Sequence, residues 1–106
     1  MNIYENLPAD HSKETFEDMV SKPGVRLERI VSYGQSTPEG EWYDQNWDEW
    51  VMVVQGAAVL RLEDDSLIEM KPGDSVMLPA GQKHRVESTS ESGPTIWLAL
   101  HLGEQA

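Results

Sequence analysis

From residue 25 onward, apolar and polar positions alternate with a period of two residues, in short runs separated by turn residues. This period is typical of strands that bury one face, because successive side chains point to opposite faces. Many short strands at regular spacing predict an all-β fold, a sandwich or barrel. The predicted strands cover residues 25–33, 50–55, 57–63, 66–70, 75–78, 84–89 and 95–102, with a strand or strand end over 41–45.

The first part of the chain lacks this alternation. We expect an N-terminal arm over residues 1–24 that leads into a β-barrel domain over residues 25–106. A chain of 106 residues is long enough for one domain with a real core and too short for two.

Within the arm, the sequence predicts a short helix over about residues 13–20. Ser12 is a suitable N-cap. Phe16, Met19 and Val20 form an apolar stripe at i, i+3 and i+4, with acidic residues on the remaining faces.

The stretch over residues 72–88 has the clearest turn signals. Pro-Gly-Asp and Pro-Ala-Gly turns flank a short strand, and His84 begins the next strand. Alternation then predicts which side chains share the more apolar, inward face: His84, Val86 and Ser88. The opposite face has Arg85, Glu87 and Thr89. One imidazole is thus predicted to point into the space that the sheet encloses.

The spacing in this stretch resembles the second motif of the cupin family. That motif runs Gly, five residues, Pro, one residue, Gly, two residues, His, three residues, Asn. Gly73, Pro79, Gly81 and His84 occupy its first four fixed positions, and Ser88 replaces the Asn.

The first cupin motif is present only in part. Its final Glu, six residues before a Gly, matches Glu49 and Gly56. With three residues between the second His position and the Glu, the two His positions are occupied by Gln45 and Tyr43. With four residues between them, Asp44 and Trp42 stand there. Both metal-binding histidines of the motif are therefore replaced.

The resemblance covers about residues 25–102 and implies a jelly-roll barrel that is open at one end. In metal-binding cupins, the motif histidines and the Glu hold a divalent cation, and only Glu49 and His84 carry over. With Gln45 as a weak third ligand, these residues could hold one Zn²⁺, Fe²⁺, Mn²⁺ or Ni²⁺ ion.

Two other residues could complete such a site. Asp44 could add a carboxylate if its side chain turns inward. His101 shares a face with Trp97 and Ala99. His101 could add a second imidazole, but the opposite face, with Ile96, Leu98 and Leu100, is the more apolar and would send His101 outward. The sequence leaves the orientations of Asp44 and His101 open.

Without a metal, Glu49 and His84 would form a catalytic acid/base pair or an ion pair. The side chains around them would form a ligand pocket: Tyr43, Asp44, Gln45 and Trp47. A concave apolar pocket with a few polar groups is the usual site for a small molecule.

Three functional hypotheses remain open from the sequence. The first is a barrel that binds a small molecule through an inward-facing Gln/Glu/His site. The second is a metal-dependent enzyme of the oxygenase, isomerase or lyase type. The third is a structural barrel whose site is vestigial.

Charge and composition narrow the partners. The formal net charge is −11, which disfavours binding to a nucleic-acid backbone. The chain has no cysteine and no apolar run of membrane-spanning length, so we expect a cytoplasmic protein that does not bind membranes. The exposed edges of small sheets and the habit of the family favour a homodimer.

Overall fold

Two antiparallel sheets face each other in the computed structural model, which describes residues 1–104. The last two residues of the predicted barrel domain, 105 and 106, lie outside the described residues. The strands are β1 Thr15–Lys22, β2 Val25–Ser32, β3 Asp48–Gln55, β4 Ala58–Leu62, β5 Leu67–Met70, β6 Ser75–Leu78, β7 His84–Thr89 and β8 Thr95–Leu102. One sheet has the order β1-β2-β8-β3-β6 and the other β5-β4-β7. The predicted all-β, jelly-roll class is confirmed.

The hydrophobic core fills the space between the two sheets. It consists of alternate residues of the facing strands: Val51, Val53, Ala58, Leu60, Met70, Leu78, Trp97 and Ala99. Complete burial of one such large side chain stabilises the fold by about 1.5–3 kcal/mol. The core occupies one end of the barrel and leaves the other end to polar side chains.

The predicted helix in the arm is wrong. Residues 15–22 form β1, which pairs with β2 through a tight Pro-Gly turn in which Gly24 has a φ of +76°. Phe16 and Val20 remain 55% and 41% exposed. The apolar stripe in the sequence therefore does not correspond to a buried face of a helix. Antiparallel pairing with β2 satisfies the backbone of this segment along its length, whereas an isolated helix of about eight residues is unstable in water.

The first residues of the arm are held by Arg29, whose side chain projects from the outer face of β2 and is 2% exposed. Its guanidinium donates hydrogen bonds to the carbonyl oxygens of Ile3, Glu5 and Asn6 at 3.2, 2.7 and 3.1 Å. It also pairs with Glu17 at 3.2 Å. A buried guanidinium with several acceptors is tolerated, and here it fixes the arm against the sheet.

Within the described residues, no helix is long and apolar enough to cross a membrane.

The turn between β3 and β4 provides a test of the packing. Gly56 has a φ of +89°, and a Cβ at this position would lie 2.5 Å from Thr95 Oγ1 and 2.8 Å from the Pro94 carbonyl oxygen. We expect Gly56→Ala to lower the free energy of unfolding in urea by about 2–4 kcal/mol. The matched control is Gly24→Ala, where φ is also positive but no atom lies within 4 Å. It should cost about 1–2 kcal/mol, and equal losses would contradict the predicted clash.

Candidate functional site

A cavity of about 280 Å³ lies between the sheets, where β3 and β7 begin and β6 and β8 end. Because neighbouring strands are antiparallel, these strand ends meet at one end of the barrel. Apolar side chains cover most of the cavity wall. The polar side chains that line it are Glu14, Arg26, Glu28, Tyr43, Gln45, Glu49, His84 and His101.

A row of polar residues crosses the inner face of the larger sheet. Arg26 on β2 pairs with His101 on β8, and His101 pairs with Glu49 on β3. Directly paired residues point to the same face and have neighbouring side chains. The register of these three strands therefore builds one wall of the cavity.

His84 and Glu49 are the acid/base groups that the structure brings together. They are 5% and 8% exposed, and His84 Nε2 lies 3.9 Å from Glu49 Oε1. His84 Nδ1 lies 3.1 Å from the carbonyl oxygen of Gln82. A carbonyl can only accept a hydrogen bond, so Nδ1 carries the proton. In the neutral imidazole, the lone pair is then on Nε2, which faces the cavity.

Gln45 orients the Glu49 carboxylate. Its side-chain amide donates a hydrogen bond to Glu49 Oε1 at 2.8 Å. The backbone carbonyl of Gln45 accepts from the Gly81 N–H at 2.7 Å, which fixes the loop before β3 to the turn before β7. The two sequence motifs are thus joined by the backbone as well as by side chains.

Tyr43 lies on the other side of His84. The segment predicted as a strand or strand end over 41–45 makes a single antiparallel bridge, between Tyr43 and His84. Their rings stack with centroids 5.4 Å apart. Burial raises the pKa of the Tyr43 phenol, and the carboxylates of Glu14, Glu49, Glu28 and Glu41 raise it further. Tyr43 therefore presents an O–H donor at neutral pH.

The structure decides the orientation of His101, which the sequence left open: it points inward, against the more apolar pattern of the opposite face. His101 is 3% exposed and lines the cavity, together with Trp97 of the same face. β8 is the central strand of its sheet, and Ile96 on its other face is also fully buried. When both faces of a strand are covered, the more apolar face is not necessarily the one toward the cavity.

His101 is held by two hydrogen bonds. The Trp47 indole N–H donates to Nδ1 at 2.8 Å, so Nδ1 must accept. The ring proton is then on Nε2, which donates to Glu28 Oε1 at 2.8 Å. Both ring nitrogens are occupied, and His101 positions Trp47 and Glu28 rather than presenting a free lone pair.

Asp44 and Trp47 were predicted as pocket residues, and the structure places them elsewhere. Asp44 is exposed and is not part of the cavity wall. Trp47 lies behind His101 and reaches the site only through that ring. The cavity instead contains Arg26 and Glu28, which the sequence analysis missed. Arg26 and Glu28 lie with Ile30 at alternate positions on one face of their strand, and this pattern in the sequence could have indicated that both face the cavity.

Ser88 does not share the inward face with His84 and Val86 as predicted. β7 contains a bulge, since Val59 pairs with Ser88 while the adjacent Leu60 pairs with Val86. The extra residue reverses the alternation. Ser88 is exposed, and Thr89, predicted on the other face, is buried and donates a hydrogen bond to the Gln35 carbonyl oxygen at 2.7 Å.

The donor set limits any metal site. Within residues 1–104, no three or more His, Cys, Asp or Glu side chains are placed to hold a metal ion. Glu49 and His84 offer two strong donors that converge, and the carbonyl bonded to His84 Nδ1 is the usual outer partner of a metal-binding imidazole. A third ligand would have to be the amide oxygen of Gln45, whose N–H donates to Glu49, and this oxygen is a weak donor beside an imidazole.

Comparisons with known proteins agree with this architecture. A family model described as a cupin domain matches residues 29–101. A crystal structure from Ralstonia eutropha JMP134, described as a "putative mannose-6-phosphate isomerase", is 41% identical. The alignment covers 97% of this chain and 96% of that one, with a TM-score of 0.93.

More distant structures show the fold alone. A cupin superfamily protein from Desulfitobacterium hafniense DCB-2 is 20% identical, with 92% of this chain and 84% of that chain covered and a TM-score of 0.77. The protein TT1209 from Thermus thermophilus is 16% identical over 99% and 97% of the two chains, with a TM-score of 0.82. No curated protein is a significant sequence match.

The hydrogen bond from Trp47 to His101 should be important for stability. Trp47→Phe removes the indole N–H and leaves His101 Nδ1 buried without a donor. We expect a loss of about 1–3 kcal/mol in the free energy of unfolding. The control is Trp42→Phe, at a side chain that is 37% exposed. A loss in Trp47→Phe no larger than in Trp42→Phe would contradict the assigned role.

Proposed function

The chain belongs to the cupin family, and we propose that it binds a small organic molecule in the barrel cavity through Gln45, Glu49 and His84. The observation that carries the proposal is the convergence of two buried acid/base groups, with Glu49 Oε1 and His84 Nε2 3.9 Å apart at the wall of the cavity. An apolar cavity with a few convergent polar groups is the usual form of a small-molecule site. At about 280 Å³, it suits a compact ligand.

The polar groups suggest how the ligand is held. The free lone pair of His84 Nε2 can accept a hydrogen bond from a ligand hydroxyl. The Tyr43 phenol, kept protonated by its raised pKa, can donate to a carbonyl or hydroxyl oxygen. Glu49 is oriented by the Gln45 amide and can accept a second hydrogen bond. These groups favour a ligand with neighbouring hydroxyl or carbonyl oxygens.

The proposal includes a divalent cation only as a weakly bound ion at the same residues. Glu49, His84 and Gln45 would hold it, and it would polarise a ligand oxygen as a Lewis acid. Two strong protein ligands are fewer than the three that catalytic zinc sites generally have.

The second candidate function is an isomerase. It is favoured by the 41% identity to the protein described as a putative mannose-6-phosphate isomerase. Glu49 and His84 would move a proton between adjacent carbons of a bound sugar, one as base and the other as acid. The short distance between them fits this role.

Substitution of the acid/base pair tests both candidates. A panel of hydroxy acids, keto acids, sugars and sugar phosphates should contain a compound that raises the melting temperature of the wild type. His84→Ala and Glu49→Gln should abolish that shift, because each removes a polar contact. Elemental analysis of the same preparations measures any metal, and incubation with mannose 6-phosphate tests isomerase activity.

The matched control is His11→Ala, since His11 is exposed and does not line the cavity. It should respond as the wild type does. A vestigial site would be indicated if the His84 and Glu49 variants behaved like His11→Ala in the ligand, metal and activity measurements.

We further propose that the protein is a homodimer in the reducing cytoplasm, a setting that a chain without cysteine permits. The outer face of the larger sheet carries an apolar row in which each residue pairs with the next across the strands: Val20, Leu27, Leu100, Trp50 and Met77. An apolar row that spans a whole sheet can pair with itself about a two-fold axis, and a second copy is the occupant we assign.

Size-exclusion chromatography with light scattering measures the mass of the protein in solution and so tests the proposed dimer. The wild type should have twice the mass of the chain, and Met77→Lys should give a monomer because it places a charge in the row. Leu67→Lys is the control, since Leu67 is similarly exposed but lies on the other sheet. A dimer retained in Met77→Lys and lost in Leu67→Lys would assign the interface to the smaller sheet.

A further inference from the structure

Arg26 is a charged residue of the cavity wall that has no partner. Its Nε is buried and makes no hydrogen bond, and within residues 1–104 no nitrogen of its guanidinium forms a hydrogen bond or an ion pair. A buried N–H without an acceptor lowers stability. Arg26 is partly exposed and its terminal nitrogens are open to water, so the unfavourable contribution comes from the buried Nε–H.

Two other arginines differ from Arg26 in the partners of their terminal nitrogens. The Nε atoms of Arg29 and Arg85 are also buried without a hydrogen bond. However, the terminal nitrogens of Arg29 donate to carbonyl oxygens of the arm, and those of Arg85 donate to Thr37 and Pro38. Both arginines hold segments of the chain in place, whereas Arg26 holds none.

Within the described residues, no carboxylate of the cavity forms an ion pair with Arg26, and each accepts a hydrogen bond from another group. Ser32 donates to Glu14 at 2.5 Å, His101 to Glu28 at 2.8 Å and Gln45 to Glu49 at 2.8 Å. Glu28 lies on the same face of β2 as Arg26 and yet pairs with His101. Among the residues that the structure describes, Arg26 is the charged side chain of the cavity wall that has no polar partner.

We propose that Arg26 binds the carboxylate of the ligand, and this inference rests on the proposed small-molecule function. Arg26, His101 and Glu49 are paired across three adjacent strands. Strands lie about 4.8 Å apart, so the backbones of Arg26 and Glu49 are separated by about 10 Å. A compact molecule with a carboxylate at one end can contact Arg26 while its hydroxyl or carbonyl group lies beside Glu49 and His84.

The charges favour a monocarboxylate over a phosphate. The two terminal nitrogens of a guanidinium present N–H groups side by side, which match the two oxygens of a carboxylate. Arg26 is surrounded by a wall that also carries Glu14, Glu28 and Glu49. The second negative charge of a phosphate monoester would be repelled by these groups in a site of low dielectric. The ligand class is therefore a small hydroxy or keto acid.

The test compares acids with their uncharged amides. The probes are glycerate and gluconate, glyceramide and gluconamide, and inorganic phosphate and mannose 6-phosphate for the phosphate alternative. By calorimetry, the wild type should bind at least one of the acids about ten- to a hundredfold more tightly than its amide, as expected for a hydrogen bond between charged groups. In Arg26→Met this preference should disappear.

Stability without ligand gives an independent readout. Arg26→Met keeps the length of the side chain and removes the unpaired donor, so its melting temperature should rise above that of the wild type. Arg61→Met is the matched control, because Arg61 is on β4 and pairs with Glu87 at 2.7 Å. It should have a melting temperature at or below that of the wild type and retain the preference for the acid.

Three results would overturn the inference. The first is equal affinity of the wild type for acids and amides, and the second is tighter binding of the phosphates. The third is a lower melting temperature of Arg26→Met than of Arg61→Met, which would give Arg26 a structural role. If the amides bind in a manner that depends on His84, the proposed function survives without the role of Arg26. If no probe of either kind binds, the inference also fails, and the broader panel decides the proposed function.

Discussion

β8 lies between β2 and β3 and pairs with β2 from Leu102 through Thr95 without interruption. This pairing aligns the start of β2, the end of β8 and the start of β3, because neighbouring strands run in opposite directions. Arg26, His101 and Glu49 become neighbours as a direct consequence, although they are far apart in the sequence. A shift of β8 by one residue in this register would move His101 to the opposite face, away from Arg26 and Glu49.

Hydrogen bonds give the two cavity histidines opposite roles. In His84, the Gln82 carbonyl accepts the hydrogen bond from Nδ1 and leaves Nε2 open toward the cavity. In His101, Trp47 and Glu28 occupy both nitrogens. The same side chain thus serves in one place as a group available to a ligand and in the other as a support for the wall. The difference comes entirely from the partners of the ring nitrogens.

The larger sheet separates its functions between its two faces. Its inner face carries polar residues at the end of the barrel, with Arg26 as the unpaired cation. Its outer face carries the apolar row that ends at Met77, beside Arg29 and the arm that Arg29 fixes. Since alternate residues of each strand serve different faces, β2 contributes to the cavity, the outer row and the attachment of the arm.

The sequence by itself determined the strands from residue 25 onward, the all-β class, the family and the placement of Glu49 and His84. These features depend on local alternation, on turn residues such as Gly73 and Gly81, and on the spacing of the motifs. Tertiary structure decided the rest. β1 is a strand because β2 is available to pair with it, His101 faces inward because β8 is covered on both faces, and Thr89 replaces Ser88 inside because a bulge interrupts the alternation. The isolation of Arg26 also depends on the folded chain, because a missing partner can be recognised only when all the groups that surround the side chain are known.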